Sequence, residues 1–150
     1  PAFYWPDFDA STQERGFFGF DKKEDVKYIL ISEKGCADPS AEYSLELADG
    51  LLPLDIHTFD KDAFILENEQ VHKVTLYTKE KKACLSLHFH TPVVGLWSPP
   101  AKNAPFVCIE PWYGRCDRAH YTGEYKDKDW MQHLHPDKTF KGGYTIEIEE

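Results

Sequence analysis

The sequence has little of several things that usually announce a function. It has one methionine, and none of its four cysteines forms a C-x-x-C pair, which argues against structural zinc and thioredoxin-type chemistry. No basic run is long enough to follow a phosphate backbone; the nearest, "KEKKA" at 79–83, reads as a turn between strands. The formal charge is −9, from 17 basic and 26 acidic residues, so nucleic acid and anionic membrane are poor partners. No apolar stretch approaches the ~18–20 residues of a membrane span. No signal-peptide pattern, phosphate loop, serine nucleophile elbow or H-E-x-x-H is present. Sustained helical periodicity is also missing.

What is present is aromatic. The chain carries 4 Trp, 8 Tyr and 10 Phe among 150 residues and is 41% hydrophobic, enough for one domain with a sizeable core. An aromatic-rich, acidic surface suits a neutral ligand, and sugars are the obvious class. The dominant period is two. "YILI" (28–31), "YSLEL" (43–47), "AFIL" (63–66), "KVTLYTK" (73–79), "ACLSLHFHT" (83–91), "PFVCIE" (105–110) and "YTIEIEE" (144–150) are short and rich in strand formers. "KEKK" joins two of them as a hairpin. Turn chemistry fills the gaps, in "EKGCADPS", "ADG", "SPPAKNAP" and "KGG". The pattern predicts an all-β sandwich or barrel. A single helical turn is expected in "DKDWMQHL" (127–134), and the first 25 residues are expected to be irregular and packed onto something else. Cys84 and Cys108 sit inside apolar runs, where a thiol acts as a small hydrophobe. Reduced cysteines and a cytoplasmic location are the expectation.

Glu110 is the first candidate for chemistry. It ends the apolar run "PFVCIE" and precedes Pro111 and Trp112. A carboxylate in an apolar frame is costly unless hydrogen-bonded or useful, and desolvation makes a carboxylate a stronger base. Pro111 is expected to stop the strand ladder and turn the side chain into a cleft. The alternative is a strand-end glutamate paired with Arg115 or Arg118; the residues alone leave both open. His88 and His90, in "SLHFHT", share one face of a strand, as two metal ligands would. Two polar residues on a solvated face is the stronger reading of the pair, and a cupin-like site would need Glu110 to close it. His133 and His135 repeat the spacing in a loop. Asp60 and Asp62 stand at the mouth of "AFIL", where carboxylates accept hydrogen bonds from sugar hydroxyls or merely cap turns. Trp97 ends the run "VVGLW" as core or as a stacking platform.

Together, "VGLWSPP" (94–100), "APFVCIEPWYG" (104–114), "LPLDIHTFDKDAFIL" (52–66) and the closing "HPDKTFKGGYTIEIEE" (135–150) resemble the aldose 1-epimerase (galactose mutarotase) family, in its LacX-like branch. The resemblance implies an antiparallel β-sandwich of the galactose mutarotase type, with residues 1–150 as the C-terminal half of a larger supersandwich. It implies an isomerase that interconverts the α and β anomers of an aldose by proton transfer, with no metal or organic cofactor. Glu110 falls on the family's base, and Asp62, with Asp60 beside it, on the aspartate that holds sugar hydroxyls. Trp97 and Trp112 line the cleft. The family's acid is a histidine in a Gly-Gly-His-Pro-Ala-Phe motif, and this chain opens "PAF", so the acid is expected just before Pro1. His57 and His120 lie near these segments without any mark of a substitute. Half of a sandwich is expected to meet its missing half or to self-associate. Two other classes stay in view: a carbohydrate-binding sandwich without turnover, and a cupin-like metal protein using His88 and His90.

Overall fold

A computed structural model describes residues 1–150. Eleven strands carry the chain: β1 (Ala2–Tyr4), β2 (Glu14–Phe20), β3 (Lys27–Ile31), β4 (Ala37–Ser44), β5 (Leu51–Asp55), β6 (Phe64–Leu66), β7 (Lys73–Tyr77), β8 (Ala83–Phe89), β9 (Val93–Trp97), β10 (Phe106–Trp112) and β11 (Tyr144–Ile148). They form a six-stranded sheet, β1-β10-β9-β6-β3-β4, and a five-stranded sheet, β11-β8-β7-β2-β5. All the strand pairs are antiparallel. No helix is long and apolar enough to cross a membrane.

The two sheets close on a cluster of 18 buried residues, including Phe18, Val74, Leu76 and Leu87 from one sheet and Val94, Leu96, Val107 and Ile109 from the other. Each such side chain is worth about 1.5–3 kcal/mol on burial, far more than an exposed ion pair, so this seam holds the fold. A second cluster, Ile29, Ala37, Ala63, Ile65 and Val93, lies on the opposite face of the six-stranded sheet, with Trp97, Trp112 and Trp130 packed against it. Cross-strand register explains the division. Cys108 stands opposite Trp97, Glu110 opposite Gly95 and Trp112 opposite Val93, and Gly95 in turn faces Ile65. These residues share the outer face, while Val107, Ile109, Leu96 and Val94 point into the main core. The central strands are buried on both sides, so their sequence reads as continuous apolar runs rather than alternation.

The expected hairpin is met. The "KEKK" turn joins β7 to β8, closed by Thr78 N–H donating to the Lys82 carbonyl at 2.8 Å. Other expectations need correction. The opening segment is not irregular throughout: β2 runs through it and is a central strand of the five-stranded sheet. Arg15 hides this in the sequence. It is 2% exposed, and its guanidinium donates to the carbonyls of Thr12 (2.7 Å) and Glu14 (2.8 Å) and to the Asn103 side chain. Gly16 makes the register shift beside it possible, since at φ 108° a Cβ would lie 2.2 Å from the Tyr77 carbonyl oxygen. The strand expected over 43–47 lies earlier and ends at Ser44. No helical turn forms over 127–134: a 3-10 turn spans Tyr125–Asp127, and Trp130 has φ 61°, outside the helical region.

The seam is bare at one side. Tyr144, Ile146 and Ile148 of β11 pair with Phe89, Leu87 and Leu85 of β8 and share their core-facing side. Yet these three are 52%, 44% and 71% exposed. Strands β1 and β11 each end a sheet, and Tyr4 of β1 is also exposed.

Candidate active site on the outer sheet face

Glu110 sits on the outer face of β10, partly buried. Pro111 does not stop the ladder as expected: β10 continues to Trp112, with Pro111 opposite Val94 and Trp112 opposite Val93. The reason lies in the bond directions. Ile109 N–H donates toward β1, to the Pro1 carbonyl at 3.0 Å. Two residues on, the nitrogen of Pro111 points the same way, past the last bond to β1, so its missing donor costs nothing in the ladder to β9.

The carboxylate of Glu110 accepts a hydrogen bond from the indole Nε1–H of Trp112, at 3.2 Å to Oε2. The indole reaches back across Gly95, the cross-strand partner of Glu110. Cys108 lies on the same face, two residues before. Burial, and then the Glu110 carboxylate beside it, push the Cys108 thiol up to about 11. The thiol therefore keeps its proton at neutral pH.

The ion-pair alternative for Glu110 fails on geometry. Arg115, its side chain 1% exposed, donates from Nε to Glu67 and from Nη2 to Asp129 Oδ2 at 2.7 Å. Arg118 also binds Asp129, with Nε 2.8 Å from Oδ2. Trp130 Nε1–H donates to Glu67 Oε1 at 2.8 Å. This network fastens the segment after β10 onto the outer face and occupies both arginines away from Glu110. Hydrogen bonds from Arg118 and Arg115 hold the Asp129 carboxyl below its ordinary value of 3.8.

The other expected residues are distributed as follows. Trp97 is opposite Cys108 on the outer face, partly buried, and tilts against Phe106 with ring centroids 6.5 Å apart. Asp62 stands at the mouth of β6 and accepts the Ala63 N–H at 2.7 Å. From the register, Asp62 and Glu110 are two strands and three residues apart, with Cα atoms on the order of 14 Å from each other. Asp60 is exposed, and its carboxylate meets His57 Nδ1 at 2.9 Å within the turn before β6. His120 is exposed, 3.7 Å from Glu33.

His88, His90 and Glu110 are not brought together. His88 belongs to the five-stranded sheet and pairs with Glu147 at 2.7 Å. His90 tilts against His72, with ring centroids 4.9 Å apart. The larger clefts lie elsewhere too. One of ≈ 760 Å³ is lined by His72, His88, His90 and Tyr144, and one of ≈ 490 Å³ by Glu33, Asp38 and His120. Glu110 stands on the outer sheet face, with Trp112 against its carboxylate and Trp97 diagonally across the ladder to β9, a shelf of two indoles around one carboxylate. Sequence reasoning missed Gly95, Cys108, Glu67 and Asp129, whose roles depend on register and on the path of the chain after β10.

This two-sheet antiparallel fold is that of the galactose mutarotase-like β-sandwiches. A galactose mutarotase related enzyme from Lactobacillus acidophilus superposes on the whole chain with a TM-score of 0.85 at 29% identity, covering 50% of that structure. A galactose mutarotase-like protein from Lactobacillus casei ATCC 334 matches in fold with a TM-score of 0.76, at 21% identity, over 97% of this chain and 49% of that one. The plasmid and chromosomal LacX proteins of Lactococcus lactis subsp. lactis are each 32% identical over 98 residues, which is 65% of this chain and 32% of theirs. No family model matches the chain. The chain thus resembles galactose mutarotase-related proteins of the LacX-like branch, and it spans about half the length of the structures it matches.

Proposed function

We propose that Glu110 is the general base of an aldose 1-epimerase. The observation that carries this reading is a carboxylate on a partly buried outer face, flanked by Trp97 and Trp112, oriented by an indole N–H and paired with no cation. The names of the similar proteins support the same class.

In the proposed reaction Glu110 takes the proton of the anomeric hydroxyl while an acid protonates the ring oxygen. The bond between the anomeric carbon and the ring oxygen breaks, giving the open-chain aldehyde. Rotation about the bond next to the carbonyl, followed by closure with the proton transfers reversed, yields the other anomer. Asp62 holds sugar hydroxyls, and Trp97 and Trp112 supply faces for the ring. The acid is a histidine outside residues 1–150. Those residues form the C-terminal part of one domain, and the remainder docks against β1 and β11. The bare core-facing side of β11 and the half-length match support that arrangement.

The test is polarimetry on freshly dissolved α-D-glucose or α-D-galactose, with this chain at high concentration, alone and with the histidine-bearing half supplied. Acceleration over buffer once that half is present is the expected result. A sugar that binds, by calorimetry, without any acceleration in either sample points instead to a carbohydrate-binding sandwich. The same aromatic shelf would serve that role.

A further inference from the structure

We infer that Trp112 is a positioning residue for Glu110, and that Gly95 is the space that lets it act; the inference rests on the base assignment above. A glutamate carboxylate turns freely about its last torsion, which has broad, shallow preferences. A base must present one oxygen in one direction. Glu110 solves this within three residues. Pro111 fixes the backbone between the two side chains, and both point to the outer face of the same strand. The indole then folds back so that Nε1–H meets Oε2 at 3.2 Å.

That fold-back needs room over β9. A Cβ on Gly95 would lie 2.5 Å from Trp112 Cζ2 and 2.6 Å from Cη2. Both are atoms of a rigid ring, so any side chain at 95 would push the indole off the shelf. The glycine is not required by its own backbone, which is ordinary strand paired on both sides, to Glu110 and to Ile65. Its smallness serves the indole. Trp97 and Val93 flank Gly95 on the same face, which leaves the ring only the slot above it. Cys108, kept protonated beside the carboxylate, adds an uncharged neighbour on the same face.

The test uses three variants and a readout that does not depend on activity. The four indole N–H signals are recorded in a 1H–15N correlation spectrum, and Trp112→Phe identifies the signal of Trp112 by its loss. Glu110→Gln is expected to move the Trp112 signal. The Trp5 and Trp130 signals should stay in place, because their acceptors are the Ala104 carbonyl and Glu67. Gly95→Ala is expected to move the same signal. If Gly95→Ala does not fold, the other two variants decide the question. A Trp112 signal unchanged by Glu110→Gln would overturn the inference. In mutarotation by the assembled protein, Trp112→Phe is expected to lower kcat about tenfold with little change in KM, the scale of a lost hydrogen bond to a charged group. A rise in KM at constant kcat would leave Trp112 as a sugar platform alone and overturn the positioning role. If the wild-type protein accelerates nothing, the base assignment fails while the indole signals still report on the contact.

Discussion

Arg115 and Asp129 meet at 2.7 Å, with the arginine side chain only 1% exposed. This pair, with Glu67 on its other side, ties the segment after β10 to the end of β6. Removing one partner leaves a buried guanidinium half-satisfied. Breaking a fully buried pair costs about 3–5 kcal/mol; Asp129 retains some exposure and Arg115 keeps Glu67. Asp129→Ala is therefore expected to destabilise the protein by roughly 2 kcal/mol. Urea unfolding monitored by tryptophan fluorescence checks it, and an unchanged midpoint would show that the network holds nothing.

The same pair sets an acid limit. Hydrogen bonds from Arg118 and Arg115 lower the Asp129 carboxyl in the folded state, below 3.8. A depressed carboxylate contributes stability that is fully present above its unfolded value. That contribution is lost as pH falls through the folded value. The contribution of Asp129 should thus be constant from neutral pH down to about 5 and decline below about 4. Asp129→Asn should flatten that part of the stability–pH curve.

Glu110→Gln keeps the shape of the side chain and removes the proton acceptor. In the assembled protein a loss of at least ~10²-fold in mutarotation rate is expected, the usual scale for a general base. Near-normal rotation of α-D-galactose by this variant would remove Glu110 from the mechanism.

Cys108 should be the slow cysteine. Burial and the adjacent Glu110 raise its thiol from 9.0 to about 11, and only the thiolate reacts. At pH 8 its alkylation by iodoacetamide should be about a hundredfold slower than that of an unperturbed thiol, before any steric protection. Mass spectrometry of timed samples locates the modified positions. Glu110→Gln should speed the reaction at Cys108 by removing the charge that opposes the thiolate.

The exposed apolar side of β11 should make the isolated chain associate. Light scattering behind size exclusion is expected to give a mass above the 17.4 kDa of one chain. Ile146→Lys with Ile148→Lys should shift the protein toward monomer. A clean monomer from the unmodified chain would count against the docking face.

The sequence carried most of the sandwich wherever one face of a strand is polar and the other apolar. The β7–β8 hairpin and β11 show a clear period of two, and both lie where alternation placed them. Strand β2 escaped because its interior holds Arg15 and Gly16, one a buried charge and the other a bulge glycine, among residues that read as an aromatic loop. The expected turn over 127–134 failed because Trp130 is used for packing and for its bond to Glu67, in a backbone shape no helix contains. Glu110, Trp97 and Trp112 could be named as candidates from local pattern: the two tryptophans stand at strand ends, and Glu110 interrupts an apolar run just before a proline. Gly95 could not: nothing near it in the chain says that Trp112 will lie across it. That fact is written only in the register between β9 and β10, and the role of Glu67 only in the return of the chain over the outer face.

Strand β9 is covered on both faces and paired on both edges, so its amides have no local route to solvent. Hydrogen exchange at Val94, Gly95 and Leu96 should require opening of the whole fold, while β11 exchanges by fraying alone. The carboxylate shelf rests on the last part of the molecule to open, so its geometry should persist under mild denaturation that already frees the edge strands.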